Sequence, residues 1–199
     1  MISSTTSVAQ TFEGIIVFKT SVELPENSSI SEAQFNTMFN DMDTVANFFL
    51  KNSNYKLVTL DNNTNEPKTI SQFESDSNKT FSYMAGQNDF CMVSIYDPNQ
   101  PEPKISIDPN DTITVLGLKC KSLEIDYGIS KSIVYFSDKY KVDEQIFKAN
   151  PSGFLEYLYR TGALPLKIIM SGNGAVHNMV FTATDIKEEK LKDAEFEVP

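Results

Sequence analysis

The sequence predicts a mainly β fold of α+β type, a curved and unclosed antiparallel β-barrel with helices covering its concave face. Three observations predict it. Short runs rich in Val, Ile, Thr, Phe and Tyr recur along most of the 199 residues, each bounded by Asn, Asp, Pro or Gly. The first of these runs alternates apolar and polar residues over an unusual length. An amphipathic helix follows it, and a second helical segment falls late in the chain. A sheet that curls without closing needs its hollow covered, and a helix with a greasy face is a natural cover.

The elements read as follows. Residues 11–24 form a long strand: Phe12, Gly14, Ile16, Phe18, Thr20, Val22 and Leu24 fall on one face, and Glu13, Lys19, Ser21 and Glu23 on the other. Ser31-Glu32-Ala33-Gln34 is a capping box, with Ile30 and Phe35 placed as a hydrophobic staple. Phe35, Met38, Phe39, Met42, Val45, Ala46 and Phe49 then recur at three- and four-residue spacing, so the helix is expected to run to about Lys51. Strands are expected at 55–60, 69–73, 80–84, 90–96, 104–107, 112–116, 118–127 and 130–137. A helical segment at 143–160 is interrupted near Asn150-Pro151 and carries Phe154, Leu155, Leu158 and Tyr159 on one side. Strands at 164–170 and 175–185 and a short tail close the chain.

Composition bounds the function. The net charge of -10 repels phosphate backbones and anionic headgroups, which argues against nucleic acid as a partner. No run of about 18 apolar residues exists, so a membrane-spanning helix is not expected. The apolar set is rich in Phe (14) and Met (7) and lacks Trp, a mixture that serves either a core or a lipid cavity. Residues 1–11 read as the remnant of an export leader, because Ser7-Val8-Ala9 fits a small-x-small cleavage pattern; the other reading is a polar tail on a cytosolic protein. Residues 12–199 then form a single half-barrel domain.

Chemistry has little to work with. His177 is the only histidine, so a Ser-His-Asp or Cys-His arrangement must use it or do without. It reads as a strand-end residue beside the Gly172-Asn173-Gly174 turn. Cys91 and Cys120 lack metal-ligand spacing and are open to pairing or to remaining free. Asp61-Asn62-Asn63-Thr64-Asn65 has Glu66 where a calcium loop needs Gly, and reads as a turn. No catalytic residue, metal site or cofactor is expected.

The second half carries a resemblance. Val115-Leu116-Gly117-Leu118-Lys119-Cys120-Lys121, Ile133-Val134-Tyr135-Phe136-Ser137-Asp138, Gly162-Ala163-Leu164-Pro165-Leu166-Lys167-Ile168 and Phe181-Thr182-Ala183-Thr184-Asp185-Ile186 follow one another in an order that resembles uncharacterised secreted proteins of Gram-negative bacteria near the GLPGLI group. Those are similar in turn to periplasmic lipoprotein carriers and outer-membrane lipoprotein-sorting proteins of the LolA-like type. Here the Gly-Leu-Pro step reads Gly162-Ala163-Leu164-Pro165, the mark of a sister group. The resemblance implies an unclosed barrel plugged by helices whose hollow holds acyl chains.

The expected function is therefore a non-enzymatic periplasmic or envelope protein that binds a hydrophobic small molecule or lipid, such as an acyl chain or a lipoprotein's lipid, with envelope proteins as further partners. Ile16, Phe18, Leu166, Ile168, Met179 and Phe181 are the expected wall; Phe35, Met38, Phe39 and Met42 are the expected lid. The alternative is an envelope interaction or assembly module with a solid core. A pocket of several hundred cubic ångströms separates the two.

Overall fold

The computed structural model describes residues 12–25, 28, 30–39, 44–87, 90–93, 102–148, 153–172 and 177–197. Strand β1 (Gly14–Glu23) leads to helix α1 (Glu32–Phe39). Five strands follow: β2 (Thr44–Lys51), β3 (Asn54–Leu60), β4 (Pro67–Glu74), β5 (Lys79–Met84) and β6 (Phe90–Val93). Then come β7 (Lys104–Ser106), β8 (Thr112–Val115), β9 (Leu118–Asp126) and β10 (Ser130–Lys141). Helices α2 (Glu144–Phe147) and α3 (Phe154–Thr161) precede β11 (Ala163–Gly172), β12 (Asn178–Glu188) and a short 3-10 helix (Asp193–Phe196).

All the described strands belong to one antiparallel sheet, in the order β6-β5-β4-β3-β2-β1-β12-β11-β10-β9-β7, with β8 also on β9. The sheet is curved and does not close into a barrel. The strand β1 sits at its centre because the last strand, β12, returns beside it: Ile16 lies opposite Ile186 and Thr20 opposite Phe181. On its other side Ile16 faces Phe48 and Phe18 faces Ala46. The alternation read in β1 is the one observed: Gly14, Ile16, Phe18 and Thr20 are buried, and the residues between them are less so. Gly14 is required, since a Cβ there would lie 2.0 Å from the Lys187 carbonyl oxygen of β12.

The structure corrects the sequence reading in three places. The first helix stops at Phe39, and residues 44–51 form β2 instead of its continuation. Thr44-Val45-Ala46-Asn47-Phe48-Phe49-Leu50-Lys51 satisfies both periods; read with period two it buries Ala46, Phe48 and Leu50. Ladders to β1 and β3 on both sides, and a β-branched and aromatic content, decide for the strand. Second, the side chains that fill the hollow come from α3. Leu155 and Leu158 are fully buried in the main core, with Phe154 packed against it. Helix α1 contributes only Phe35 as a buried residue, and Met42 lies outside the described residues. Third, the last strand, Asn178–Glu188, runs three residues past its expected end at 185, and residues 175 and 176 of the expected start lie outside the described residues.

Two helices, α2 and α3, stand where one interrupted helical segment is expected, and Asn150-Pro151 lies outside the described residues. Asp143 caps α2 by accepting from the Gln145 amide, and Gly162 ends α3 in the left-handed conformation at φ 59°. Asp61 accepts from the Asn63 and Thr64 amides at 2.9 and 3.2 Å, which makes the segment after β3 an Asx turn, as read. Both cysteines are free thiols, Cys91 exposed in β6 and Cys120 buried in β9.

A methionine-lined end of the concave face

Cross-strand rows divide the concave face by depth. The deep rows are aromatic. Phe18, Phe48 and Phe73 are buried to 1% exposure or less. The Phe154 ring of α3 lies 4.4 Å from that of Phe48 in a stack, 6.1 Å from Phe18 and 6.2 Å from Tyr55. Burial pushes the Tyr55 phenol up to about 12, although a hydrogen bond with Ser71 pulls the other way. This floor is apolar and filled.

A polar belt runs from the first turn of α3 to β9 and β10. The hydroxyls of Tyr157 on α3 and Ser132 on β10 are 3.0 Å apart. The neighbouring Glu156 is almost fully buried and accepts from the Tyr127 hydroxyl at the end of β9. Its other carboxylate oxygen lies 3.4 Å from Arg160 Nε one helical turn on, and Arg160 reaches Glu102 at 3.1 Å. Burial pushes the Glu156 carboxyl up, against the pull of the Arg160 guanidinium.

Above the belt the same face changes character. Ser132 faces Met170 across β10 and β11, Met170 faces Met179 across β11 and β12, and Met179 faces Val22 across β12 and β1. Met170 and Met179 are 38% and 37% exposed, whereas Ile168, one row deeper, is 1% exposed. Thr20, also one row deeper, is buried, and its hydroxyl has no hydrogen-bond partner among the described residues. An orphaned buried hydroxyl costs free energy, about 1–3 kcal/mol.

Helix α1 stands at this end. Its capping box forms as read: the Ser31 amide donates to Gln34 Oε1 at 3.0 Å and the Gln34 amide to Ser31 Oγ at 3.3 Å. Phe35 and Phe39 pack at 4.9 Å, and Phe39 lies 4.7 Å from the His177 ring, two residues before Met179. His177 Nδ1 is buried without a partner among the described residues. The other side of the helix, with Ile30, Ala33, Gln34, Thr37 and Met38, lines a surface cleft of about 400 Å³, and Met38 is 58% exposed.

The ten candidate residues therefore separate. Ile16, Phe18, Leu166 and Ile168 lie in the packed face, at 1% exposure or less. Phe35 and Phe39 stand at the α1 end beside His177, Met179 lies in the exposed outer row, and Phe181 sits one row deeper, packed against the core. Met38 lines the cleft on the other side of α1, and Met42 is outside the described residues. Sequence reasoning missed Met170, Thr20 and the Glu156–Arg160 belt. Met170 could have been found by extending the alternation of Leu166 and Ile168 by two residues. The i,i+4 spacing of Glu156 and Arg160 was the signal for the belt.

No family model and no curated protein matches the chain. Among solved structures it is similar to an uncharacterised conserved protein from Thermus thermophilus, at 8% identity over 90% of this chain and 83% of that one, with TM-score 0.48. It is similar to PNGF-II at 13% identity over 92% of this chain and TM-score 0.50; there it spans 29% of the other chain's length, so that likeness is one of fold with a part of that protein. A third neighbour is an outer membrane lipoprotein-sorting protein domain from Vibrio parahaemolyticus, at 9% identity over 93% of this chain and 89% of that one, with TM-score 0.38.

Proposed function

We propose that this protein is a non-enzymatic envelope or periplasmic binding protein that takes up an acyl chain, or the lipid of a lipoprotein, at the α1 end of its concave face. One observation carries the reading: Met170 and Met179 face each other on the concave side and stay more than a third exposed, on a face whose deeper rows are sealed. Methionine is unbranched and adaptable, so a pair of them suits an occupant of variable shape. An occupant covering them gains about 0.8 kcal/mol per methylene buried, less the cost of ordering its chain. Phe181 one row deeper, Phe39 and Phe35 on α1, and Met42 complete the proposed site, and Met38 borders it from the other side of α1. Ile16, Phe18, Leu166 and Ile168 act as its packed base and not as contacts. The export assignment rests on the sequence resemblance and on the leader-like residues 1–11.

Native mass spectrometry of protein purified from its own envelope, with displacement of a fluorescent fatty-acid probe, tests the reading. The expected result is a co-purifying lipid and a probe affinity that Met179→Asp lowers at least tenfold. Absence of both lipid and probe binding overturns it. The filled floor favours a second reading, an assembly module with a solid core, and that result would select it.

A further inference from the structure

The opposite, outer face of the sheet carries a feature unrelated to the hollow. After β12 the chain crosses β1, β2, β3 and β4 in turn, from Glu189 to Glu197. The Glu189 amide donates to the Glu13 carbonyl at 3.2 Å and the Leu191 amide to Glu13 Oε1 at 2.8 Å. On β2, Lys51 Nζ donates to the Leu191 carbonyl at 2.6 Å and pairs with Asp193 at 2.7 Å. On β3, Lys56 Nζ donates to the Glu195 carbonyl; on β4, Gln72 Nε2 donates to the Phe196 carbonyl. Leu191 and Phe196 are buried, at 6% and 8% exposure.

The seat beneath this strap is unusual for the face of a sheet. Phe49, Lys56 and Gln72 form one cross-strand row. Gln72 is fully buried, with its oxygen 3.5 Å from the Tyr83 hydroxyl. The Lys56 ammonium sits 5.2 Å from the Phe49 ring and 5.9 Å from the Phe196 ring. From β2 to β4, Lys51, Lys56 and Gln72 each aim a side-chain donor at a backbone carbonyl of the strap. Carbonyls are common to all peptides, so this grip does not depend on the residue held. Selectivity falls to two apolar seats five residues apart and to two lysines, which favour an acidic segment. In a chain of net charge -10, Asp193, Glu195 and Glu197 supply that acidity.

The strap is also imperfectly matched to its seat. Glu195 keeps one carboxylate oxygen buried without a partner among the described residues, and burial pushes the Lys56 ammonium down. The segment joining it to β12, Glu188-Glu189-Lys190, is exposed, and the ladder of the sheet is complete without it. An element laid over a complete sheet and joined to it by an exposed segment can open without unfolding the sheet beneath it.

From this geometry we infer that the outer face of β2–β4 is a peptide-docking groove, occupied in cis by the chain's own residues 189–197, whose partner in trans is an acidic segment of another protein with large apolar residues five apart and a helical turn between them. The tail acts as a competitive strap: it keeps the groove covered until a better-matched segment displaces it.

The test uses the full chain and a fluorescein-labelled peptide of residues 190–199. A Leu191→Ser/Phe196→Ser chain, whose strap is weakened, is expected to bind the peptide at least tenfold more tightly than the unaltered chain. Adding Gln72→Leu to that variant is expected to lower the affinity several-fold. Equal affinity of both chains, or no binding by a folded double variant, overturns the inference. Should the double variant fail to fold, hydrogen exchange on the unaltered chain decides: amides 191–197 are expected to exchange at least a hundredfold faster than those of β2–β4. Exchange at the same rate would show that the strap opens only with the whole fold and overturns the inference. A concentration-dependent dimer that free peptide does not dissociate would assign the groove to a second copy's tail, and likewise overturns it.

Discussion

Two parts of one concave surface, an aromatic one on β1–β4 and a methionine row on β11 and β12, end in opposite states. In the deep rows Phe18, Phe48, Tyr55 and Phe73 form a continuous aromatic layer under Phe154 of α3. In the outer row Met170 and Met179 meet no such plug among the described residues and stay partly exposed. The strands cannot tell the two apart, because a pleated strand repeats its facing every second residue whatever covers it. What divides them is the reach of one short helix. Helix α3 is held between α2 and β11 and is tied to β10 and the end of β9 by the Tyr157–Ser132 and Glu156–Tyr127 bonds. The lesson is that alternation assigns a side chain to a face, and a non-local element then decides whether that face is core or site.

The sharpest way to break this comparison is to damage the floor. Phe48 is fully buried and stacks on Phe154. Phe48→Ala is expected to cost about 3–5 kcal/mol of stability, the range for deleting a buried aromatic ring. A urea titration with unchanged slope checks it. A loss under about 1 kcal/mol would mean that the floor has room to rearrange and is not a packed base.

The belt between the two regions can be read through pH. Because burial raises the Glu156 carboxyl in the folded state, the native protein holds that proton more tightly than the unfolded chain does. Its contribution to stability is then fully present below the ordinary carboxylate range. It is lost as pH rises through the elevated folded value. Glu156→Gln stays neutral and keeps an acceptor for Tyr127. Its stability relative to the unaltered protein is therefore expected to improve between about pH 4 and pH 8. Parallel urea titrations at the two pH values check this, and an opposite trend would show that Arg160 outweighs burial.

Much of the fold was legible. The face of β1 followed from its alternation. The division of residues 31–51 into helix and strand was not legible, because residues 44–51 fit both periods and only the ladders from β1 and β3 choose. Nor could the sequence say that α3, and not α1, fills the hollow: both helices are amphipathic, and the choice depends on where the β10–β11 connection places α3. For the site, types and faces were readable, since Met179 and Phe181 do share a face with Ile168. Depth was not. Ile16 and Met179 carry the same local pattern, yet one is sealed and the other more than a third exposed.

The smallest expected change in stability falls on the methionines, and it bears most directly on what the outer row is for. A buried Met→Ala costs about 2–5 kcal/mol in a core. At 37–38% exposure, with solvent already on one side, Met170→Ala and Met179→Ala should each cost less than about 1 kcal/mol. If the row exists to pack the fold, its cost should instead approach that of Phe48→Ala. If it exists to meet an occupant, the same two substitutions should leave the urea midpoint nearly in place and weaken fatty-acid-probe binding several-fold. The two readouts together separate a site from a core, because a packing role moves the first and a binding role moves the second.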